Sequence, residues 1–236
     1  MEKNVAKMIE KPAGQRTRNA QMNRRLAVLA MLTAMAVTLR LLETIVPLMP
    51  EFLKLDLSEI PVLIGAFAYG PVGAVMIELV KNLIVWPSSH TSGVGEIANF
   101  IAGAFFAGSA GLVYQFIKTR KGAVISMIVG TLVMTVGTSF FNYYVLLNLY
   151  GAIAGFPMPA IIAKASEVNP MVTDKETLIL WAFIPFNLFK GTLVSVLTFL
   201  IYKPVSKLIH EFTEVSRNGN GTDQCVCPTD PGITQS

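Results

Sequence analysis

Two residues in the stretch FIPFNLFKGTLVSVLTFLIY, 183 to 202, carry chemistry that their surroundings do not explain: Asn187 and Lys190 lie well inside a run apolar enough to cross a bilayer. Lys190 is about 12 residues from either end of the expected helix, roughly 18 Å, which is too far for its side chain to reach water. An ammonium facing lipid there costs at least ~2.5 kcal/mol, so the residue faces a polar cavity or an acceptor inside the protein. Asn187 is one turn earlier on the same face, and the pair offers an amide that donates and accepts beside a group that only donates. A second polar position, Asn142 in SFFNYYVLLNLY, lies beneath Tyr143 and Tyr144, which suit an interfacial aromatic belt. Asn142, Asn187 and Lys190 are expected to ring one pocket open to the exterior. In GVGEIANF, Gly93 and Gly95 permit close backbone approach, while Glu96 and Asn99 sit one turn apart on a new helix. That helix start could offer N–H groups to a ligand, or could be a tight turn capped by Glu96. Glu78, Lys81 and Asn82 read as an i, i+3 ion pair with a neighbouring amide, for which a structural role is favoured.

The elements that must position these groups follow from composition. Of 236 residues 53% are hydrophobic and 14% charged, and the mean hydropathy is +0.55, the profile of an integral membrane protein. Apolar runs bounded by turns predict helices near 26–46, 59–69, 71–86, 96–117, 122–147 and 178–202. The second and third are short and meet at YGPVG, where Gly70 can end one helix and Pro71 open the next, although a continuous kinked helix also fits. The expected fold is therefore an all-α, six-helix membrane bundle over 26–205, with a basic arm at 1–25 and a polar, disordered tail at 206–236.

Charge orients the bundle. Lys3, Lys7, Lys11, Arg16, Arg18, Arg24 and Arg25, then Lys118, Arg120 and Lys121, then Lys203, Lys207 and Arg217, all fall on one side of a six-helix count. The other side has only Lys54, Lys164 and Lys175, so both termini are expected in the cytoplasm, with 47–58, 87–95 and 148–177 external. The same distribution makes the net charge of +4 a topology and lipid signal; no aromatic-interleaved basic platform suggests nucleic-acid binding. A cleaved signal peptide is not expected, because the first apolar run is too long and lacks a small-x-small exit. His90 and His210 are isolated, and Cys225 and Cys227 form a CVC pair without further ligands, so no metal site is indicated. No phosphate-loop, H-E-x-x-H or G-x-S-x-G motif is present, which argues against an enzyme and against common P-loop ATP hydrolysis.

Taken together, FLKLDLSEIPVLIGAFAYGPVGAVMIELVKN (52–82), GVGEIANFIAG (93–103), NYYVLLNLY (142–150) and PFNLFKG (185–191) resemble the riboflavin-specific substrate-binding (S) component of energy-coupling factor (ECF) transporters. The likeness runs in order from about residue 24 to 205. Asn148 departs from it, at a position where proline is expected. The resemblance implies six helices, capture of riboflavin from outside, and no resident cofactor. It also implies partnership with a transmembrane T component and two cytoplasmic ATPases in a bacterial plasma membrane. Carried onto matching positions, it implies that Asn142, Asn187 and Lys190 hydrogen-bond the vitamin, and that Leu55, Asp56 and the turn from Gly93 to Gly95, with Asn99 nearby, close around it. Ala30 and Ala34, a small-xxx-small step on the first helix, resemble the family's contact with the T component; packing inside the monomer is the alternative. A different vitamin, an ion-coupled transporter using Glu78, Lys81 and Lys190 as a proton relay, and a purely structural protein are the competing functions, the relay reading being weakened by the lack of two matching halves.

Overall fold

Glu59 and Lys81 belong to one apolar stretch, and on a straight helix their separation of 22 positions would span about 33 Å. In a computed structural model, which describes residues 13–45, 50, 53–89, 91–153, 155 and 157–218, their side chains meet at 3.2 Å. Helix α2 (Glu59–Val85) therefore doubles back. The reversal is at Gly70, whose φ of 82° and ψ of −175° leave the helical region and suit a residue without a Cβ, and Pro71 opens the returning arm. The Gly70–Pro71 turn thus produces two antiparallel arms, 59–69 and 71–85, rather than one kinked rod, and the expected six-helix bundle is preserved.

Helix α1 (Ala13–Leu41) precedes this hairpin and begins inside the segment expected to be a free arm. Its Leu32 and Ala36 are buried, and a methyl placed on Gly65 of the hairpin would lie 3.6 Å from Leu32. Strands β1 (Thr44–Ile45) and β2 (Lys54–Leu55) pair antiparallel after it, the one exception to an all-α fold among the described residues. Next come α3 (Val94–Phe116) and α4 (Arg120–Phe141), the latter capped by Thr119, whose side chain accepts from Gly122 N–H. Helix α4 passes through a π-turn (Asn142–Leu146) into α5 (Leu147–Ala152), which extends the fifth expected helix past 147. The segment expected as an external loop contains α6 (Met158–Val168). A short α7 (Lys175–Leu178), a second π-turn (Ile179–Phe183) and α8 (Ile184–Asn218) complete the chain.

Among the described residues, four helical stretches are long and apolar enough to cross a membrane: Glu59–Ser88, Val94–Phe116, Arg120–Ala152 and Lys175–Ile201. The first doubles back, so its arms reach only about 16 and 22 Å, short of a hydrocarbon layer of ~30 Å. By contact the chain divides into two compact units, Met1–Thr198 and Phe199–Ser236; in the second, α8 is helical as far as Asn218. Lys3, Lys7, Lys11, His90, Cys225 and Cys227 lie outside the described residues.

Close helix crossings depend on glycine. A methyl on Gly130 of α4 would sit 2.8 Å from the Phe106 carbonyl oxygen of α3, and one on Gly191 of α8 would sit 2.7 Å from Thr131. Gly103 is the most exacting: its methyl would lie 2.4 Å from the Glu78 carboxyl carbon. That carboxylate cannot swing aside, because Lys81 and Asn82 both hold it. Gly103→Ala should cost about 1–3 kcal/mol through overpacking, read as a lower thermal midpoint in detergent. An unchanged midpoint would show the crossing to be looser than described.

Candidate functional site

The polar residues singled out from the sequence meet at the end of the bundle that also carries the strand pair. They surround a cavity of about 360 Å³, within the range that accommodates small-molecule ligands. Arg40 from α1, Leu53 and Lys54 from the strand connection, Gly95 and Asn99 from α3, Asn142 from the first π-turn, and Asn187 and Lys190 from α8 all line it.

Lys190 is bound from two sides. Its ammonium donates to Asp56 Oδ2 at 3.2 Å and to Asn99 Oδ1 at 3.3 Å and has the Glu59 carboxylate at 3.9 Å, beyond hydrogen-bond reach, so that one of its three N–H groups is without a hydrogen bond among the described residues. Asp56 is buried, yet it remains a carboxylate. Burial raises its affinity for a proton, but Lys190, Lys81 and Arg40, together with a hydrogen bond from Ser58, outweigh that and hold it far below the usual carboxylate range. Its other oxygen accepts from Ser58 N–H at 3.0 Å and from the Ser58 hydroxyl. Further out, Arg40 bridges Asp56 (3.3 Å) and Glu43, and Glu43 also accepts from Lys54. Ion pairs and the Thr44–Leu55 and Ile45–Lys54 pairings thus fix both ends of the connection between α1 and α2.

Asn187 donates to Thr138 Oγ1 at 3.0 Å, and among the described residues nothing bonds its carbonyl oxygen. Asn142 is 6% exposed, and among the described residues nothing bonds its side-chain amide. The cavity wall therefore carries an open amide, an open amide carbonyl and a spare ammonium N–H. Around them Leu146, Phe183 and Phe186 provide apolar surface. Phe183 and Phe186 belong to a cluster with Leu53, Ile161, Ala165 and Leu178, so α6 braces this wall rather than forming a free loop.

The first π-turn aligns one side of the site. Thr138, Asn142, Leu146 and Tyr150 all face the cavity at steps of four. In a regular helix each such step drifts by about 40°, so the last would have turned about 120° away from the first. The wider turn at 142–146 offsets part of that drift, in keeping with the occurrence of π-turns at functional positions.

Other expected residues occupy different places. Gly93 adopts a φ of 89° against the Trp86 ring, where any Cβ would lie 2.4 Å from the indole, and it does not line the cavity. Leu55 is half-buried in β2, and Asp56 reaches the site through Lys190 rather than by lining the space. Glu96 accepts from Ser89, so it closes a turn at the cavity rim. Glu78 and Lys81 form the anticipated pair at 2.6 Å, but in full burial and as part of a larger network. Ala30 and Ala34 are exposed, on the α1 face opposite Leu32 and Ala36.

Sequence reasoning did not identify Arg40, Ser58, Thr138 or Tyr150. An Arg40–Glu43 spacing of three was the available sign for the first. Thr138 was hidden because threonines in apolar helices commonly bond backward to their own backbone, as it does to the Met134 carbonyl.

Comparison with known proteins agrees with this architecture. Residues 24–202 match the family model described as the substrate-specific component of ECF transporters. The chain is 36% identical over 196 residues to the riboflavin transporter RibU of Staphylococcus aureus (strain TCH60), covering 83% of this chain and 97% of that protein. It is 31% identical to the riboflavin transporter FmnP of Bacillus subtilis (strain 168), covering 76% and 90%. A solved S component of a bacterial ECF transporter superposes with a TM-score of 0.64 at 32% identity, over 80% of this chain and 98% of that one.

The Asp56 electrostatics give a pH expectation. A carboxylate whose folded pKa is depressed contributes stability that is complete above its unfolded pKa of about 3.9 and is lost as pH falls toward the folded value. The thermal midpoint should therefore show no Asp56-linked loss between pH 8 and 5. Asp56→Asn, which leaves Lys190 without its carboxylate, should lower stability by about 3 kcal/mol at neutral pH. An Asn variant as stable as the parent would contradict the pairing.

Proposed function

The chain belongs to the family of ECF-transporter substrate-specific components, and from that membership we propose that it captures riboflavin at the external face of the bacterial plasma membrane for an energy-coupling factor transporter. It is a multi-pass transport subunit and not an enzyme. The observation that carries the ligand reading is the set of polar groups left unengaged among the described residues beside the apolar wall of Leu146, Phe183 and Phe186: the Asn142 amide, the Asn187 carbonyl and the third N–H of Lys190. A flavin presents broad apolar ring faces and a polar edge, so apolar walls hold the ring while fixed donors and acceptors orient it. Relatives named as riboflavin transporters support the choice of vitamin. Gly95 and Asn99 line the same cavity, while Leu55, Asp56 and Gly93 stand behind its wall, with the ion-paired connection as its outer boundary.

Both termini lie in the cytoplasm in this reading, supported by the concentration of Lys and Arg in residues 1–25, 118–121 and 203–217. Residues 26–205 form the membrane domain, the basic arm precedes it, and the polar tail from 206 follows. The exposed Ala30 and Ala34 meet the T component, since a small-residue step on an outward face lets another helix approach closely. That component joins two ATPases that supply the energy. Ion-coupled transport by this chain alone is disfavoured, because Glu78, Lys81 and Lys190 are paired with partners inside the protein.

Purified protein should quench riboflavin fluorescence on titration, and Asn142→Ala and Lys190→Ala should each weaken binding by roughly tenfold or more, the cost of a lost buried hydrogen bond. Absence of quenching by the parent protein would refute the assignment; thiamin or biotin competing equally would redirect it to another vitamin. Cys225 and Cys227 report topology: a membrane-impermeant thiol reagent should label them only after cells are permeabilised. Labelling in intact cells would place the tail outside.

A further inference from the structure

Lys190 is one member of a closed circuit of side-chain hydrogen bonds. It donates to Asn99 Oδ1 (3.3 Å); Asn99 Nδ2 donates to Asn82 Oδ1 (3.2 Å); and Asn82 Nδ2 donates to Glu78 Oε2 (3.0 Å). On the return side Lys81 donates to Glu78 Oε1 (2.6 Å) and to Ser58 Oγ (3.0 Å), Ser58 donates to Asp56, and Lys190 closes the loop on Asp56 Oδ2 (3.2 Å). Every member of the ring is buried, and Asn82 does not line the cavity.

The polarity of this circuit is forced from its far side. Asn82 Nδ2 faces two acceptors, the Glu78 carboxylate and the Glu78 backbone carbonyl at 2.8 Å, so the amide nitrogen must point there. Its oxygen must then face Asn99. Asn99 must in turn present its nitrogen to Asn82 and its oxygen to Lys190. Released from Asn82, Asn99 Nδ2 would be left without its acceptor, and the amide could turn away into the cavity to find one, so that Lys190 would lose the Asn99 oxygen. We propose that Asn82 is a positioning residue for ligand binding: acting through the orientation of the Asn99 amide, it holds Lys190 so that a single N–H faces the cavity.

This inference rests on the cavity being the riboflavin site, and a double-mutant cycle separates the two claims. Riboflavin is titrated against the parent, Asn82→Leu, Lys190→Met and the double variant, each in full-length detergent-solubilised form. Asn82→Leu keeps the volume and removes the amide, and it should raise Kd about tenfold. Adding it to Lys190→Met should change Kd by less than twofold, because the group it positions is already gone. Equal fold-losses in the two backgrounds would mean that Asn82 acts only on packing, and an unchanged Kd in Asn82→Leu would remove any role; either overturns the proposal. Failure of the parent to bind riboflavin overturns the functional reading itself, with which this inference falls. Thermal unfolding without ligand checks that each variant folds, and Asn82→Ser replaces Asn82→Leu where it does not. Asn99→Ala is the second background where Lys190→Met binds too weakly to measure, since Asn82 must be silent there as well.

Discussion

Burying an ionised lysine costs several kcal/mol unless acceptors surround it, and Lys81 has no exposed surface at all. Its acceptors are Glu78 one turn earlier, and Ser58 and Glu59 at the far end of the same apolar stretch. They can reach it only because Gly70 and Pro71 fold α2 back on itself. The hairpin and the buried charge are therefore two sides of one constraint: without the turn the ammonium has no partners from Ser58 and Glu59, and without the ammonium the Glu59 and Glu78 carboxylates crowd together in an apolar interior. Gly103 belongs to the same constraint, since only a residue lacking a Cβ lets α3 pass over the Glu78 carboxylate.

From this centre the polar groups divide into two populations. Those of the circuit bond to each other and fix where α2, α3 and α8 stand at one end of the bundle. Those on the cavity wall keep some capacity unused, most plainly the Asn142 amide. The distinction matters because membrane proteins use buried polar side chains both as glue between helices and as ligand contacts, and residue type alone does not separate the uses. Unused hydrogen-bonding capacity does separate them, and Lys190 belongs to both populations, with two N–H groups committed and one open.

The same distinction shows what was legible beforehand. Helix number, the turn at YGPVG and the inward face of Asn187 and Lys190 followed from hydropathy and spacing, because the cost of an unpaired charge in an apolar run depends little on tertiary detail. What the spacing could not reveal was pairing across long separations. Asp56 and Lys190 are 134 residues apart, and nothing local to either announces the other. Asn99 illustrates the consequence: its position on α3 suggested a ligand contact, whereas its amide is engaged at both ends by Lys190 and Asn82. The π-turns were invisible for another reason, since NYYVL and ILWAF are unremarkable helical sequences that carry no local mark of a wider turn. The strand pair was missed because two residues give no periodicity to read.

Asp56 joins the interior to the boundary of the cavity. One of its oxygens takes the proton donors of Lys190 and Arg40, and the other is held by Ser58 at the entry to α2. Arg40 continues outward to Glu43, and Glu43 to Lys54 in β2. An unbroken line of opposite charges thus runs from the buried ammonium of Lys190 to the half-exposed Lys54 of β2, alternating in sign at every step. Because Asp56 is shared, the position of the outer connection and the charge balance at Lys190 are set together. A change that neutralised Asp56 would free the connection from α8 and leave Lys190 with a surplus donor inside the cavity, so the geometry of the wall and the chemistry it offers a guest cannot be altered independently.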